Sequence, residues 1–432
     1  MAGFLIAAPN SGSGKTTVAS GLLRAFKNRG YRVQPFKCGP DYIDTKYHDT
    51  ASGNKSVNLD LFLSSAQHVA ELYAKYSLGK DVCIAEGAMG LFDGYDGMQG
   101  SCAETAKLLK IPVVLVVNAK SAAYSVAPLL YGFRHFDAEV NVAGAIFNFV
   151  GSESHCRFLN QACIDAGVKL FGCLPKNAGL EIPSRYLGLT LENERLFDEF
   201  ADRAAAAMEQ YIDLDALLAF ARTYGDVQAA AAETRPATVG SKIRIAVASD
   251  EAFNFTYREN MERLKARGDI AFFSPLRDSR LPEADFVYFP GGYPEMFLEQ
   301  LCENTELHGD IRAYVAGGGR ALAECGGMMY LSSSIADAKG REYPMVGIFS
   351  QKASMKNMKL TLGYRSFNYN GFAAKGHEFH YSHCETEATS VAQQYNAAGV
   401  PVDTKLLRRK NAIAGYTHIY WGETDNLFDM FN

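Results

Sequence analysis

Short apolar runs without polar alternation punctuate the first half of the chain: Phe4–Ala8, Val82–Ala85, Pro112–Asn118 and Val142–Phe147. A run of that length with no polar face predicts a strand buried on both sides, as in a parallel sheet. Between the runs the period changes. Val18, Leu22, Leu23 and Phe26 recur at helical spacing after a glycine-rich loop. Strand alternating with helix predicts an α/β fold, a parallel sheet with helices on both faces. The pattern lapses over residues 225–241, which carry Pro and Gly among small and polar residues and read as a linker. A new α/β series then begins with Ile243–Ala248, Phe286–Phe289 and Arg320–Glu324. The expected organisation is a nucleotide-type domain over 1–224, a linker over 225–241 and a second α/β domain over 242–432.

Composition narrows the classes. Forty-eight per cent hydrophobic and 21% charged residues in a chain of 432 describe a globular protein able to bury a large core. Lys and Arg total 43 against 48 Asp and Glu, a net charge of −5, which argues against a nucleic-acid partner. The nine Cys are scattered with no C-x-x-C pair, so neither a disulfide framework nor a zinc ribbon is expected. Eight of them read as inert thiols in a reducing compartment. The apolar start lacks a basic flank and runs into the glycine loop, so it reads as a first strand rather than a signal peptide. No run approaches the ~20 residues of a membrane span. The expectation is a cytoplasmic protein without a membrane or nucleic-acid partner.

Candidate chemistry begins at Pro9-Asn-Ser-Gly-Ser-Gly-Lys-Thr-Thr17, between a strand and a helix. Successive N–H groups of Ser11, Gly12 and Gly14 and the helix start, with Thr17, form an anion nest. Lys15 is placed to reach terminal phosphates and the Thr16 hydroxyl a Mg²⁺ ion. Pro9 stands where such loops usually begin with Gly. Carboxylates for the metal are offered by Glu86, at a strand's C-terminal edge, and by Asp41 and Asp44 beside a Gly-Pro turn. ATP and Mg²⁺ are the expected cofactors, with Thr16, Glu86 and Asp41 as metal ligands.

In the second half, Ala321-Leu-Ala-Glu-Cys325-Gly-Gly reads as a strand, a sharp turn and a helix start, the setting of a nucleophile elbow. The helix start is expected to favour a thiolate. Gly326 and Gly292, the latter in Pro290-Gly-Gly-Tyr-Pro, are candidate oxyanion donors. His377, His380 and His418 are candidate bases, with His418 preferred.

With these residues in hand the chain resembles the cobyrinic acid a,c-diamide synthases. They belong to the ATP-dependent amidoligases that carry a class I glutamine amidotransferase-like domain. The landmarks run in order: Ser11–Thr17, Lys37–Asp44, Glu86–Asp93, Arg185–Leu189, Asp250–Phe255, Pro290–Glu295, Glu324–Gly327, His377–Ser382 and Tyr416–His418. The resemblance implies that the first domain uses MgATP to activate acetate carboxylates of a corrinoid, while the second hydrolyses L-glutamine and supplies ammonia. It implies roles in ATP, metal or carboxylate activation for Asp41, Asp44, Glu86 and Asp93, adenine contact for Asn148, and a Cys325–His418 pair. Two features depart from the pattern. Tyr420 stands where ordinary class I amidotransferases place a Glu after the base, and the chain is short, which would trim loops. The same chemistry on hydrogenobyrinic acid or nickel sirohydrochlorin stays open. So does a nucleotide switch with an inactive second domain, although such switches usually carry a second Lys early in the loop, where this chain has Asn10.

Overall fold

The structure, a computed structural model, describes residues 1–176, 180–182, 191–223, 242–385 and 388–432. These pack into two compact units, the described part of the first ending at Thr223 and that of the second beginning at Lys242. The expected linker, 225–241, and the Arg185–Leu189 landmark lie outside the described residues. Among the described residues no helix is long and apolar enough to cross a membrane.

In the first unit, β1 (Ala2–Ala7), β2 (Val33–Cys38), β3 (Val57–Leu59), β4 (Val82–Glu86), β5 (Val113–Asn118), β6 (Val142–Val150) and β7 (Lys169–Pro175) form one sheet in the order β3-β2-β4-β1-β5-β6-β7. Every neighbouring pair is parallel. The strand ends therefore deliver their loops to one edge, where open α/β sheets hold ligands. β1 is buried along its whole length, as its unbroken apolar run requires.

The first helix, α1 (Lys15–Asn28), starts from Gly14 at φ 94°, after Gly12 at φ 80°. Both angles suit glycine because a Cβ is disfavoured there. α1 then packs against the helix Leu191–Tyr211 so closely that a Cβ on Gly21 would lie 2.8 Å from Met208 Cγ and 3.0 Å from the Ala204 carbonyl.

Two departures from expectation occur here. β2 reads Val-Gln-Pro-Phe-Lys-Cys, and Pro35 and Lys37 hide its strand character, yet all six residues are buried. Pro35 is tolerated because β3 pairs with β2 only from Phe36 onward, so no ladder bond from that side is lost. Cys156 and Cys173 form a disulfide, so they are not the isolated thiols that the missing C-x-x-C pattern suggested. Cys156 lies on the helix Glu153–Ala166, and the chain then turns back into β7, bringing the two Cα atoms to 6.1 Å. That is within bridging range. The other seven cysteines are free thiols.

The second unit is centred on a sheet containing β8 (Ile243–Ala248), β9 (Gly268–Phe273), β10 (Phe286–Phe289) and β11 (Arg320–Glu324). Its order is Leu406–Arg409, Ala412–Gly415, β11, β10, β8, β9. All pairs are parallel except the terminal one, Leu406–Arg409 against Ala412–Gly415. The α/β expectation holds for this core. The pattern did not reveal two further sheets, built largely from short or half-exposed strands between Ser334 and Tyr420. In one of them the long hairpin Thr361–Tyr369 and Phe372–His380 carries His418–Tyr420 at its edge.

Candidate functional sites

In the first unit the phosphate loop and the end of β4 meet directly. The Thr16 hydroxyl donates to Glu86 Oε1 at 2.7 Å. Lys37, from β2, places its ammonium 2.7 Å from Asp44 Oδ2 and 3.1 Å from the same Glu86 oxygen. His48 Nε2 lies 2.6 Å from Glu86 Oε2. Lys37 and Glu86 are almost completely buried, so each depends on the other for its charge. Burial pushes the Glu86 carboxyl up, but Lys37, His48 and the Thr16 hydroxyl outweigh it and hold the group well below the ordinary carboxylate range. Burial likewise opposes the Lys37 ammonium, and Asp44 and Glu86 overcome it, holding the amine well above its usual range.

Asp41 faces the opposite balance. Burial, with the Asp44 charge beside it, pushes its carboxyl up to about 6. Its Oδ1 accepts the N–H groups of Ile43 and Asp44, both at 2.8 Å, which shapes the start of the helix Asp44–Ser52. Two lysines, Lys15 and Lys37, thus face the three carboxylates Asp41, Asp44 and Glu86. Among the described residues no group of three or more His, Cys, Asp or Glu side chains is arranged to hold a metal by itself.

The remaining sequence candidates take varied places. Lys15 donates to the Met89 carbonyl at 2.6 Å, which ties the phosphate loop to the Glu86–Asp93 loop. Burial lowers its pKa. Asp93 Oδ2 accepts the Gly90 N–H at 2.9 Å and closes a turn in that same loop. Asn148 is spent on backbone: its Nδ2 donates to the Ser13 carbonyl at 3.1 Å and its Oδ1 accepts the Phe149 N–H at 2.9 Å. The expected adenine reader is placed as a brace under the phosphate loop. It sits so close that a Cβ on Gly14 would be 2.2 Å from its Nδ2. Ser11 and Gly12 are exposed at the loop crown, while Thr17 is buried in the first turn of α1.

In the second unit, Cys325 follows β11 with φ 47° and ψ −107°. A non-glycine residue at positive φ stores strain, which here turns the chain sharply from strand to helix. Gly326 faces Gly292, and a Cβ on it would lie 3.0 Å from the Gly292 nitrogen and 2.8 Å from Pro294 Cδ. The two expected oxyanion donors are therefore adjacent across the turn. His418 presses against the same loop: a Cβ on Gly291 would come within 2.2 Å of its Cε1. Of the three candidate bases, His418 is the one this loop touches in these contacts. His377 stacks behind it, ring centroids 5.0 Å apart, and meets the Tyr257 hydroxyl at 2.8 Å through Nδ1. His380 stacks on Tyr416 at 3.7 Å.

The thiolate expectation needs correction. Burial pushes the Cys325 thiol well up, Glu295 adds to this, and the Gly326 N–H only partly offsets it. Burial also holds His418 well below the usual imidazole range, and His377 and His380 reinforce it. Burial thus disfavours charge on both the thiol and the imidazole, so a base would have to take the thiol proton as attack proceeds. The crowding at Gly291 gives a direct test. Gly291→Ala must displace the His418 ring, and glutaminase turnover is expected to fall about 100-fold. Steady-state glutamine hydrolysis measures this, and wild-type turnover in the variant would contradict the placement of His418.

Sequence reading missed Lys37 and His48. A lysine inside a six-residue run otherwise destined for burial was the available signal, because such a group is kept only where a carboxylate pairs with it. His48 gave no comparable signal, since its meeting with Glu86 depends on how β2 and the following helix pack.

Residues 4–189 match the CobQ/CobB/MinD/ParA nucleotide binding domain family, and residues 244–426 match the CobB/CobQ-like glutamine amidotransferase domain family. The chain is similar to the cobyrinate a,c-diamide synthase of Picrophilus torridus, 38% identical over 99% of this chain and 97% of the relative. It is 40% identical to the enzyme of the same description from Caldanaerobacter subterraneus subsp. tengcongensis, over 96% of this chain and 94% of the relative. It is also 40% identical to the hydrogenobyrinate a,c-diamide synthase of Brucella ovis, over 97% of this chain and 98% of the relative. Against relatives covered this fully, the expectation of a shortened chain with trimmed loops does not stand.

Proposed function

The chain belongs to the cobyrinate and hydrogenobyrinate a,c-diamide synthase family, and on that premise we propose the following chemistry. It converts the a and c acetate carboxylates of cobyrinic acid to amides at the expense of ATP, with nitrogen from glutamine. The observation that carries this reading is identity of about 40% with such synthases over nearly the full length of both chains. The nucleotide-switch alternative leaves the strained Cys325 turn and its two facing glycines without a purpose.

A carboxylate is a poor acyl donor because its oxygen would have to leave as oxide. Transfer of the γ-phosphoryl group of ATP to that oxygen makes an acyl phosphate, from which phosphate departs when ammonia attacks the acyl carbon. The chain's part is alignment and charge neutralisation. The N–H groups of Ser11–Thr17 cradle the phosphates, Lys15 turns from the Met89 carbonyl toward them, and Lys37 offers a second positive charge. Thr16 and Glu86 bring hard oxygen donors together at the start of α1, so the residues suit Mg²⁺. Thr16, Glu86 and Asp41 would hold it, with phosphate oxygens and water completing its shell. Held there, the ion would supply charge neutralisation for the phosphoryl oxygens. Asp44 keeps Lys37 charged, His48 orients Glu86, and Asp93 shapes the loop that carries Met89.

In the second unit the Cys325 sulfur attacks the glutamine amide carbon while His418 takes its proton. The Gly292 and Gly326 N–H groups receive the oxyanion. Collapse releases ammonia, protonated by His418, and leaves a thioester; water then cleaves it to glutamate. Ammonia made this way is used before it equilibrates with solvent, where most of it would become ammonium.

A substrate panel tests the reading. With ATP, Mg²⁺ and glutamine, cobyrinic acid is expected to undergo two successive acid-to-amide mass changes, with little free ammonia accumulating. Preference for hydrogenobyrinic acid or nickel sirohydrochlorin under the same conditions would reassign the macrocycle and leave the chemistry intact. Glutamine and ATP consumption without amidation of any of the three would refute it.

A further inference from the structure

The nucleophile and the base stand on different sheets: Cys325 ends β11 of the central sheet, and His418 begins an edge strand of the hairpin sheet. Their spacing therefore depends on side chains that tie one sheet to the other. Glu324, the residue before the nucleophile, makes such a tie. Its Oε1 accepts the N–H of Ile419, the residue after the base, at 2.9 Å. Its Oε2 accepts the hydroxyl of Tyr288 at 2.7 Å. Tyr288 lies on β10, which leads directly into Gly291 and Gly292. One carboxyl thus joins the three segments that carry nucleophile, base and oxyanion donor.

The surroundings support that use. Among the described residues, strand His418–Tyr420 pairs with a neighbouring strand on one side only, so its other edge would leave backbone groups bare. Glu324 covers the Ile419 N–H, and Asn260 completes the edge, donating to the Ile419 carbonyl and accepting the Trp421 N–H, both at 2.8 Å. Glu324 is only 1% exposed, and its two partners are a phenol and a peptide group rather than a cation. Burying a carboxyl in that way is costly. Burial pushes its carboxyl up to about 8, partly offset by the bonds from Tyr288 and Ile419.

We propose that Glu324 is a positioning residue for glutamine hydrolysis: from the nucleophile's own segment it bonds to the segments of the other two, and so sets the distance between Cys325, His418 and the Gly291–Gly292 loop. The proposal rests on the assignment of Cys325 and His418 as nucleophile and base.

The test compares Glu324→Ala, Glu324→Gln and Tyr288→Phe. Each is assayed for glutamine kcat and KM, for ammonia-dependent amidation, and for the rate of Cys325 alkylation by iodoacetamide. Glu324→Ala is expected to lose about 100-fold in glutamine kcat, the scale of a displaced catalytic group, with KM moving far less and ammonia-dependent amidation retained. Its alkylation rate should fall in parallel, because the base no longer meets the thiol. Glu324→Gln keeps an acceptor for Ile419 and is expected to recover most of the loss. Tyr288→Phe keeps the packing and removes one of the two bonds, so a smaller kcat loss is expected; it also decides the matter if the alanine variant fails to fold. Unaltered kcat in Glu324→Ala or in Tyr288→Phe would overturn the proposal, as would equal losses with glutamine and ammonia, or no recovery in Glu324→Gln. A Cys325→Ala variant that still hydrolysed glutamine would instead overturn the underlying assignment.

Discussion

Cys325→Ala is expected to abolish glutamine-dependent amidation while amidation from added ammonia continues. In the proposed chemistry the thiol forms the thioester, and the other side chains named at the turn are an imidazole and buried carboxyls. Losing the covalent nucleophile costs at least ~10³-fold, as when a member of a catalytic set acting as a unit is removed. Substituting the small Ala for a buried Cys leaves the turn intact, because the strained φ of 47° is set by β11 and the facing glycines. The measurement is product formation with glutamine and with an ammonium salt at a pH where some free ammonia exists. Loss of both routes in a folded variant would contradict a division of labour between the two units.

Lys15→Ala is expected to remove both routes together. Its ammonium is the positive charge that the phosphate loop carries, and its present partner, the Met89 carbonyl, is neutral and easily exchanged for phosphate oxygen. Charge spreading over the transferred phosphoryl group would then go uncompensated at that position, at a cost of about 10³-fold or more. Lys37 cannot stand in, because it is held between Asp44 and Glu86. Phosphate release and amidation, each measured with glutamine and with ammonia, should fall together. Glutamine hydrolysis measured alone should survive, since its chemistry lies wholly in the second unit. Retained ammonia-dependent amidation in Lys15→Ala would move phosphoryl transfer away from this loop.

Much of the candidate chemistry was legible because it lies in contiguous stretches. Lys15 and Thr16 sit in one glycine loop, Glu86 ends a run of apolar residues, and Cys325 stands between a strand and two glycines. Each owes its meaning to neighbours within a few positions, and backbone chemistry of that range is written in order along the chain. β8, β10 and β11 were readable for the same reason, as apolar runs closed by turn residues. His418 was one of three candidate histidines, preferred among them.

The partners of these residues were not legible. Lys37 meets Glu86 because β2 and β4 run side by side, His48 reaches Glu86 from the following helix, and Cys156 finds Cys173 because a helix doubles back onto a strand. Asn148 is bonded to the backbone of a loop far away in sequence, and the thiol is raised by burial that no local pattern encodes. The sequence by itself determined which groups are candidates for the chemistry, because the Cys325 turn, the phosphate loop and the acidic end of β4 are each built from a few consecutive residues. Only the tertiary structure decided which of them are held together, how far each is desolvated and what charge each bears, because those quantities come from atoms that meet across strands, and a chain read in order does not contain the distances between them.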